Sequence, residues 1–185
     1  MQREHPNVAV EIVAAPRRAS QQRSGLDVEV VVGEPTVHRA KALRLGDYCL
    51  GLYGSREYLR THGVPSGVAD LHRFPLVYFI DSMLQVDDLD LATSFAPAMR
   101  ESVTSTNVFV HVEATRASAG LGLLPCFMAD RHGDLVRVLT DEVAIRLTYW
   151  LVTREETLRR PEVSAVVEAI VARMAEQRNV LLGTH

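Results

Sequence analysis

The side chains best suited to chemistry in this chain are Cys126, His111, His132, the acidic group Asp81, Asp87, Asp88 and Asp90, and the run Ser105-Thr106-Asn107. A cysteine nucleophile needs a base held against it. Cys126 with His111 or His132 is the arrangement on offer, and it keeps an α/β thiol enzyme open as an alternative. The aspartates suggest a cation site, but their stretch lacks the mid-loop glycine and closing glutamate of a calcium loop. A solvated acidic loop is the simpler reading. His111 and Glu113 do not share a helix face, and zinc would need further ligands from elsewhere. Ser105 and Thr106 offer hydroxyls, and a helix starting after Asn107 would add free backbone N–H groups, a combination that holds a carboxylate. Arg17 could grip an acid through two hydrogen bonds, although arginine is mostly a surface residue. Tyr149-Trp150 reads as packing rather than as a platform for bases.

The glycine-punctuated run Ser118-Ala119-Gly120-Leu121-Gly122-Leu123-Leu124-Pro125 carries neither the Gly-Lys-Ser/Thr of a phosphate loop nor a nucleophile with its base. No cofactor and no metal are implied. Helix and strand ends facing a crevice can hold small molecules without reacting with them.

The elements that must position these groups follow from pattern. A chain of 185 residues fits one domain or two small lobes, and its net charge of -3 argues against direct duplex binding. Cys49 and Cys126 sit in apolar surroundings and read as buried free thiols. The start Met1-Gln2-Arg3-Glu4-His5-Pro6 has no signal-peptide core, and no apolar run would span a bilayer, so a cytoplasmic location is expected.

Val8 to Val13 alternates as a strand, and Arg17 to Ser24 reads as a short helix ended by Gly25. Val28 to Val32 reads as a strand covered on both faces in a parallel sheet, closing a βαβ unit. Leu43 to Tyr53 reads as a strand, Ser55 as a helix cap, and Asp70-Leu71 as the start of a short helix. Strands follow at Pro75 to Ile80 and Met99 to Ser105. Asn107 caps a helix closing at Gly120. After Leu139 come a strand, Ala144 to Val152, and a helix from Pro161 that Gly183 can end. Strands alternating with helices mean an α/β fold.

The order of motifs resembles the effector-binding domain of LysR-type transcriptional regulators. The matching residues are His5-Pro6-Asn7-Val8, Gly25-Leu26-Asp27-Val28, Ser55-Arg56-Glu57-Tyr58-Leu59, His62-Gly63-Val64-Pro65 and Asp70-Leu71. They continue through Asn107, the run to Pro125, and Gly133-Asp134-Leu135-Val136. The resemblance implies two Rossmann-like α/β lobes joined by crossing segments, as in type 2 periplasmic binding proteins, with an inducer in the cleft. Lobe one would be residues 1–38 plus 143–185, and lobe two residues 39–142. The family's winged helix-turn-helix is not in this sequence, and the resemblance implies that lobe one opens here after the family's first strand and helix. The segment between Val13 and Asp27 is also shorter than usual.

A cleft of this kind is lined by loops at strand ends. Here these supply Pro16, Arg17, Gly33, Glu34, Asp81, Ser82, Ser105, Thr106, Asn107, Pro125 and Phe127 as effector-binding residues. The implied function is non-catalytic sensing of a small molecule. The resemblance further implies a homodimer paired through Val8 to Ser24, a tetramer in the full-length form, and DNA contact only through the missing N-terminal domain. A solute receptor of a transport system is the alternative that shares the architecture.

Overall fold

The computed structural model describes residues 6–13, 26–36, 40–80 and 99–183. Its spine is β2 (Lys41–Ser55), a strand of 15 residues. Leu50 and Leu52 enter one apolar cluster while Cys49 and Tyr53 enter another, the period of two expected where a strand is covered on both faces. β2 pairs antiparallel with β7 (Ala144–Thr153), from Lys41 opposite Thr153 to Gly51 opposite Ala144, with one register shift between Arg44 and Gly46. Its last residues pair antiparallel with β5 (Leu121–Pro125) and β6 (Leu135–Val138). β1 (Val28–Val32) extends the sheet beyond β7, and β3 (Leu76–Phe79) and β4 (Glu101–Ser105) extend it beyond β5. β5, β3 and β4 run parallel.

Helices cover this sheet. α1 (Arg56–His62) starts where the Ser55 hydroxyl accepts the Tyr58 N–H at 3.0 Å. A 3-10 helix spans Val68–Arg73, two residues earlier than Asp70 suggests. α2 (Val108–Arg116) is capped by Asn107, whose side chain accepts from the Phe109 N–H at 2.9 Å. α3 (Cys126–Ala129) follows Pro125, and α4 (Glu155–Leu158), α5 (Pro161–Glu176) and α6 (Arg178–Leu182) complete the chain.

The family-like motifs meet as a brace rather than as a pocket. Ser55 and Ser118 share a hydroxyl hydrogen bond of 2.7 Å, and Arg56 Nε donates to the Gly133 carbonyl at 2.8 Å. Arg116 Nε donates to both Asp134 oxygens, at 2.9 and 3.2 Å. A Cβ at Gly120 would strike the Pro75 carbonyl, and one at Gly122 would strike the Thr115 hydroxyl. Only glycine lets α2 and β3 approach β5 this closely.

Several sequence expectations are corrected. Residues 6–13 form no strand, and Val10, Ile12 and Val13 are exposed. Alternation alone does not make a strand without a paired edge. The helix expected over Arg17 to Ser24 lies outside the described residues, and the βαβ unit lacks its first strand because residues 8–13 form no strand of the sheet. β1 is antiparallel to β7, and Val30 is 47% exposed, so it is not a parallel strand covered on both faces. The helix from Asn107 stops at Arg116, and Ser118 turns the chain with φ of 66°. The last helix breaks at Gln177 before Gly183 (φ 64°) ends α6.

Candidate functional site

The turn from β4 into α2 is built from Ser105, Thr106 and Asn107. The Asn107 N–H donates to the Ser105 hydroxyl at 3.1 Å, and the Asn107 carbonyl accepts from the Val110 and His111 N–H groups at 3.0 and 3.3 Å. From the first turn of α2, His111 reaches back and its Nε2 bonds the Ser105 carbonyl at 2.9 Å. Because a carbonyl only accepts, Nε2 carries the proton and Nδ1 is left as a lone-pair acceptor. Nδ1 is buried and has no partner among the described residues. The ring lies edge-on to Phe79 at 4.6 Å, and burial holds its pKa below the ordinary value. His111 therefore works as a neutral pin that fixes the turn. With Phe109, Val110 and His111 occupied, the Val108 N–H and the half-buried Thr106 hydroxyl are among the groups of this turn with no partner among the described residues.

The core cluster that Phe79 joins also holds a wall of aromatic rings. Tyr48 stacks on Tyr149 at 4.3 Å and meets the Phe127 ring edge-on at 6.2 Å. Burial pushes the Tyr149 hydroxyl up to about 12. Val32, Phe79 and Phe127, each only partly buried, pack on the same cluster. Val32 precedes Gly33, and Ser105 pairs with Phe79 in the parallel ladder. The Phe79 ring, which packs on this cluster and meets His111 edge-on, ties the β4–α2 turn to it.

Among the expected site residues, the Gly33 N–H donates to the Thr148 carbonyl at 3.0 Å, and the Thr148 hydroxyl donates to Asp47 at 2.7 Å. That hydroxyl is the chief reason the Asp47 carboxyl sits below its ordinary range. Glu34 and Asn107 are exposed, and Pro125 is buried. Pro16, Arg17, Asp81 and Ser82 lie outside the described residues, as do Asp87, Asp88 and Asp90. His111, Tyr48 and Phe79 are not among the residues expected at the cleft from sequence, and the structure sets His111 and Phe79 against the β4–α2 turn. His111 stands four residues after the Asn107 cap, a spacing that does allow the reach back.

The thiol-enzyme arrangement does not assemble. Cys126 is surrounded by Tyr53, Cys49 and Arg137, and burial pushes its thiol up to about 11. Neither His111 nor His132 is hydrogen-bonded to it. Among the described residues, no three His, Cys, Asp or Glu side chains group around a metal position, and no helix is long and apolar enough to cross a membrane.

The profile of the LysR substrate binding domain matches residues 1–175. A search of curated protein sequences gave no match. Among solved structures, the chain is similar to the regulatory domain of CrgA from Neisseria meningitidis, with 17% identity, a TM-score of 0.70, and 80% of this chain and 76% of that chain covered. It is similar to the effector domain of AmpR from Pseudomonas aeruginosa, with 22% identity, a TM-score of 0.71, and coverage of 96% and 86%. It also resembles full-length AphB from Vibrio cholerae, with 17% identity, a TM-score of 0.73 and 94% of this chain covered. The chain spans 60% of that regulator's length.

Proposed function

Because this chain belongs to the LysR substrate binding domain family, whose fold is of the type 2 periplasmic-binding-protein kind and which serves as the regulatory part of transcription factors, we propose that its effector binds where the β4–α2 turn meets the aromatic wall. The observation that carries this reading is the pairing of unused donors, the Thr106 hydroxyl and the Val108 N–H, with the partly buried rings of Phe79 and Phe127. Such a surface suits a small molecule with a hydrogen-bond acceptor at one end and an apolar body. Gly33, Glu34, Ser105, Asn107, Pro125 and Phe127 belong to the site in this reading, together with Pro16, Arg17, Asp81 and Ser82.

The lobes are residues 1–38 plus 143–185 against 39–142; in support, β1 lies beyond β7, whereas β5 and β6 pair only with the last residues of β2. The effector acts by altering how these halves, or two copies of the chain, sit together. In the full-length protein a separate domain contacts DNA, and the assembly is a homodimer or tetramer in the cytoplasm.

A thermal-shift screen against small organic acids, amino acids and polyamines tests this. At least one compound should raise Tm, and Thr106→Val should weaken it by about tenfold, the worth of one good hydrogen bond. A screen with no stabilising compound, or a hit insensitive to Thr106→Val and to Phe127→Ala, would overturn the site.

A further inference from the structure

The antiparallel ladder between β2 and β5 ends at Leu50 opposite Pro125. The next residues on each side are Cys49 and Cys126, and then Tyr48 and Phe127. Cys126 opens the helix α3, and the ring of the next residue, Phe127, meets Tyr48 edge-on at 6.2 Å. The end of α6 presses on this place: a Cβ at Gly183 would meet the Cys126 sulfur at 3.3 Å and the Arg137 guanidinium, which also reaches the Cys49 sulfur, at 3.6 Å. Cys49 and Cys126 also point to the same side, since both enter the cluster that contains Tyr53 and Leu124. Both are free thiols.

A third group distinguishes this pair from two ordinary core cysteines. Arg137, opposite Tyr53 on β6, lays its guanidinium across Gly51, where a Cβ would meet Nε at 2.6 Å. Its Nη2 donates to the Cys49 sulfur at 3.7 Å, and its buried Nε has no partner among the described residues. Among those residues no carboxylate pairs with Arg137. A guanidinium without a carboxylate suits a sulfur that becomes anionic and disfavours a metal cation.

We propose that Cys49 and Cys126 are a reversible oxidation site that closes to an intramolecular disulfide under a hydroperoxide. Exposure orders the steps: Cys49 retains 8% exposure and Cys126 none. The Cys49 sulfur, deprotonated as it attacks, displaces the alcohol or water half of the hydroperoxide and becomes a sulfenic acid. The Cys126 sulfur then attacks the Cys49 sulfur. The S–O bond breaks, the proton of Cys126 leaves with the hydroxyl as water, and the S–S bond forms. Two thiols and one hydroperoxide thus become one disulfide, one alcohol and one water. Arg137 faces the charge that develops on Cys49 in the first step and acts as a positioning residue. The high proton affinity of the buried Cys126 thiol, at about 11, keeps it from competing for the oxidant.

The test treats the full chain with stoichiometric hydrogen peroxide, denatures it, alkylates free thiols and reads intact and peptide masses. Both thiols should disappear together, in one peptide linking Cys49 to Cys126, and dithiothreitol should restore both. Cys126→Ser should stop the reaction at a sulfenic acid on Cys49 that dimedone traps. Cys49→Ser should leave Cys126 reduced at the same dose. Arg137→Leu should slow loss of thiols on the order of tenfold. Thiols that remain alkylatable, that gain oxygen independently, or that link two chains would overturn the proposal, and the unsubstituted chain alone decides these outcomes. The result is independent of whether an effector is found.

Discussion

His111 is fully buried, and its ring contacts are aromatic: Phe79 edge-on and Tyr78 at a tilt. Burial is the larger influence on its pKa and lowers it, while the bond to the Ser105 carbonyl opposes the shift. The unfolded ring takes up a proton as pH falls through the ordinary value of 6.5, whereas the native ring stays neutral to lower pH. In that window the unfolded state binds more protons, so stability falls as pH drops below 6.5. Urea midpoints should be lower at pH 5.5 than at pH 7.5, and the His111→Gln chain should lose part of that difference. An unchanged pH profile in the variant would remove His111 from the account. In sequence, His111 is one apolar-flanked histidine among seven. Its role depends on the Ser105 carbonyl six residues earlier, a partner that only the turn geometry supplies.

At the scale of elements, α2 was legible because its determinants are local. Asn107 caps it, as expected of that residue type, and no acid occupies its first turn. Asn107→Asp keeps the cap and favours the helix N-terminus, so urea stability at neutral pH should hold within about 0.5 kcal/mol. The added negative charge should nevertheless weaken an acidic effector severalfold in calorimetry and strengthen a cationic one. That sign would settle a question the sequence left open. The helix end was misread for a physical reason: Gly120 looked like its stop, but it serves the approach of β5 to Pro75, and Ser118 takes the positive φ instead. β1 was misread because a run of valines suits either a doubly covered strand or one with an exposed face. The aromatic wall could not be read at all, since Tyr48, Phe127 and Tyr149 come from three separate elements.

For the molecule as a whole, the α/β class and the family were legible from the order of motifs, because those motifs form the brace around Ser55, Ser118 and Asp134. The sheet order was not, since strand pairing across a hundred residues leaves no local trace. The segment carrying Val10, Ile12 and Val13 presents apolar side chains to solvent, with Ile12 86% exposed. In the proposed homodimer this strip is the surface a second copy covers. Ile12→Asp should shift the chain from dimer to monomer in sedimentation velocity while leaving its circular dichroism unchanged. A chain that is monomeric before substitution would exclude this surface as the contact. The continuity of β2 has a mechanical corollary. Its ladder with β7 runs from Lys41 to Gly51, interrupted only at the shift between Arg44 and Gly46. In the proposed division into lobes, the two halves share this ribbon and cannot swing on a slack loop. They can exchange torque through its pitch, with the irregular step as the point of least torsional stiffness.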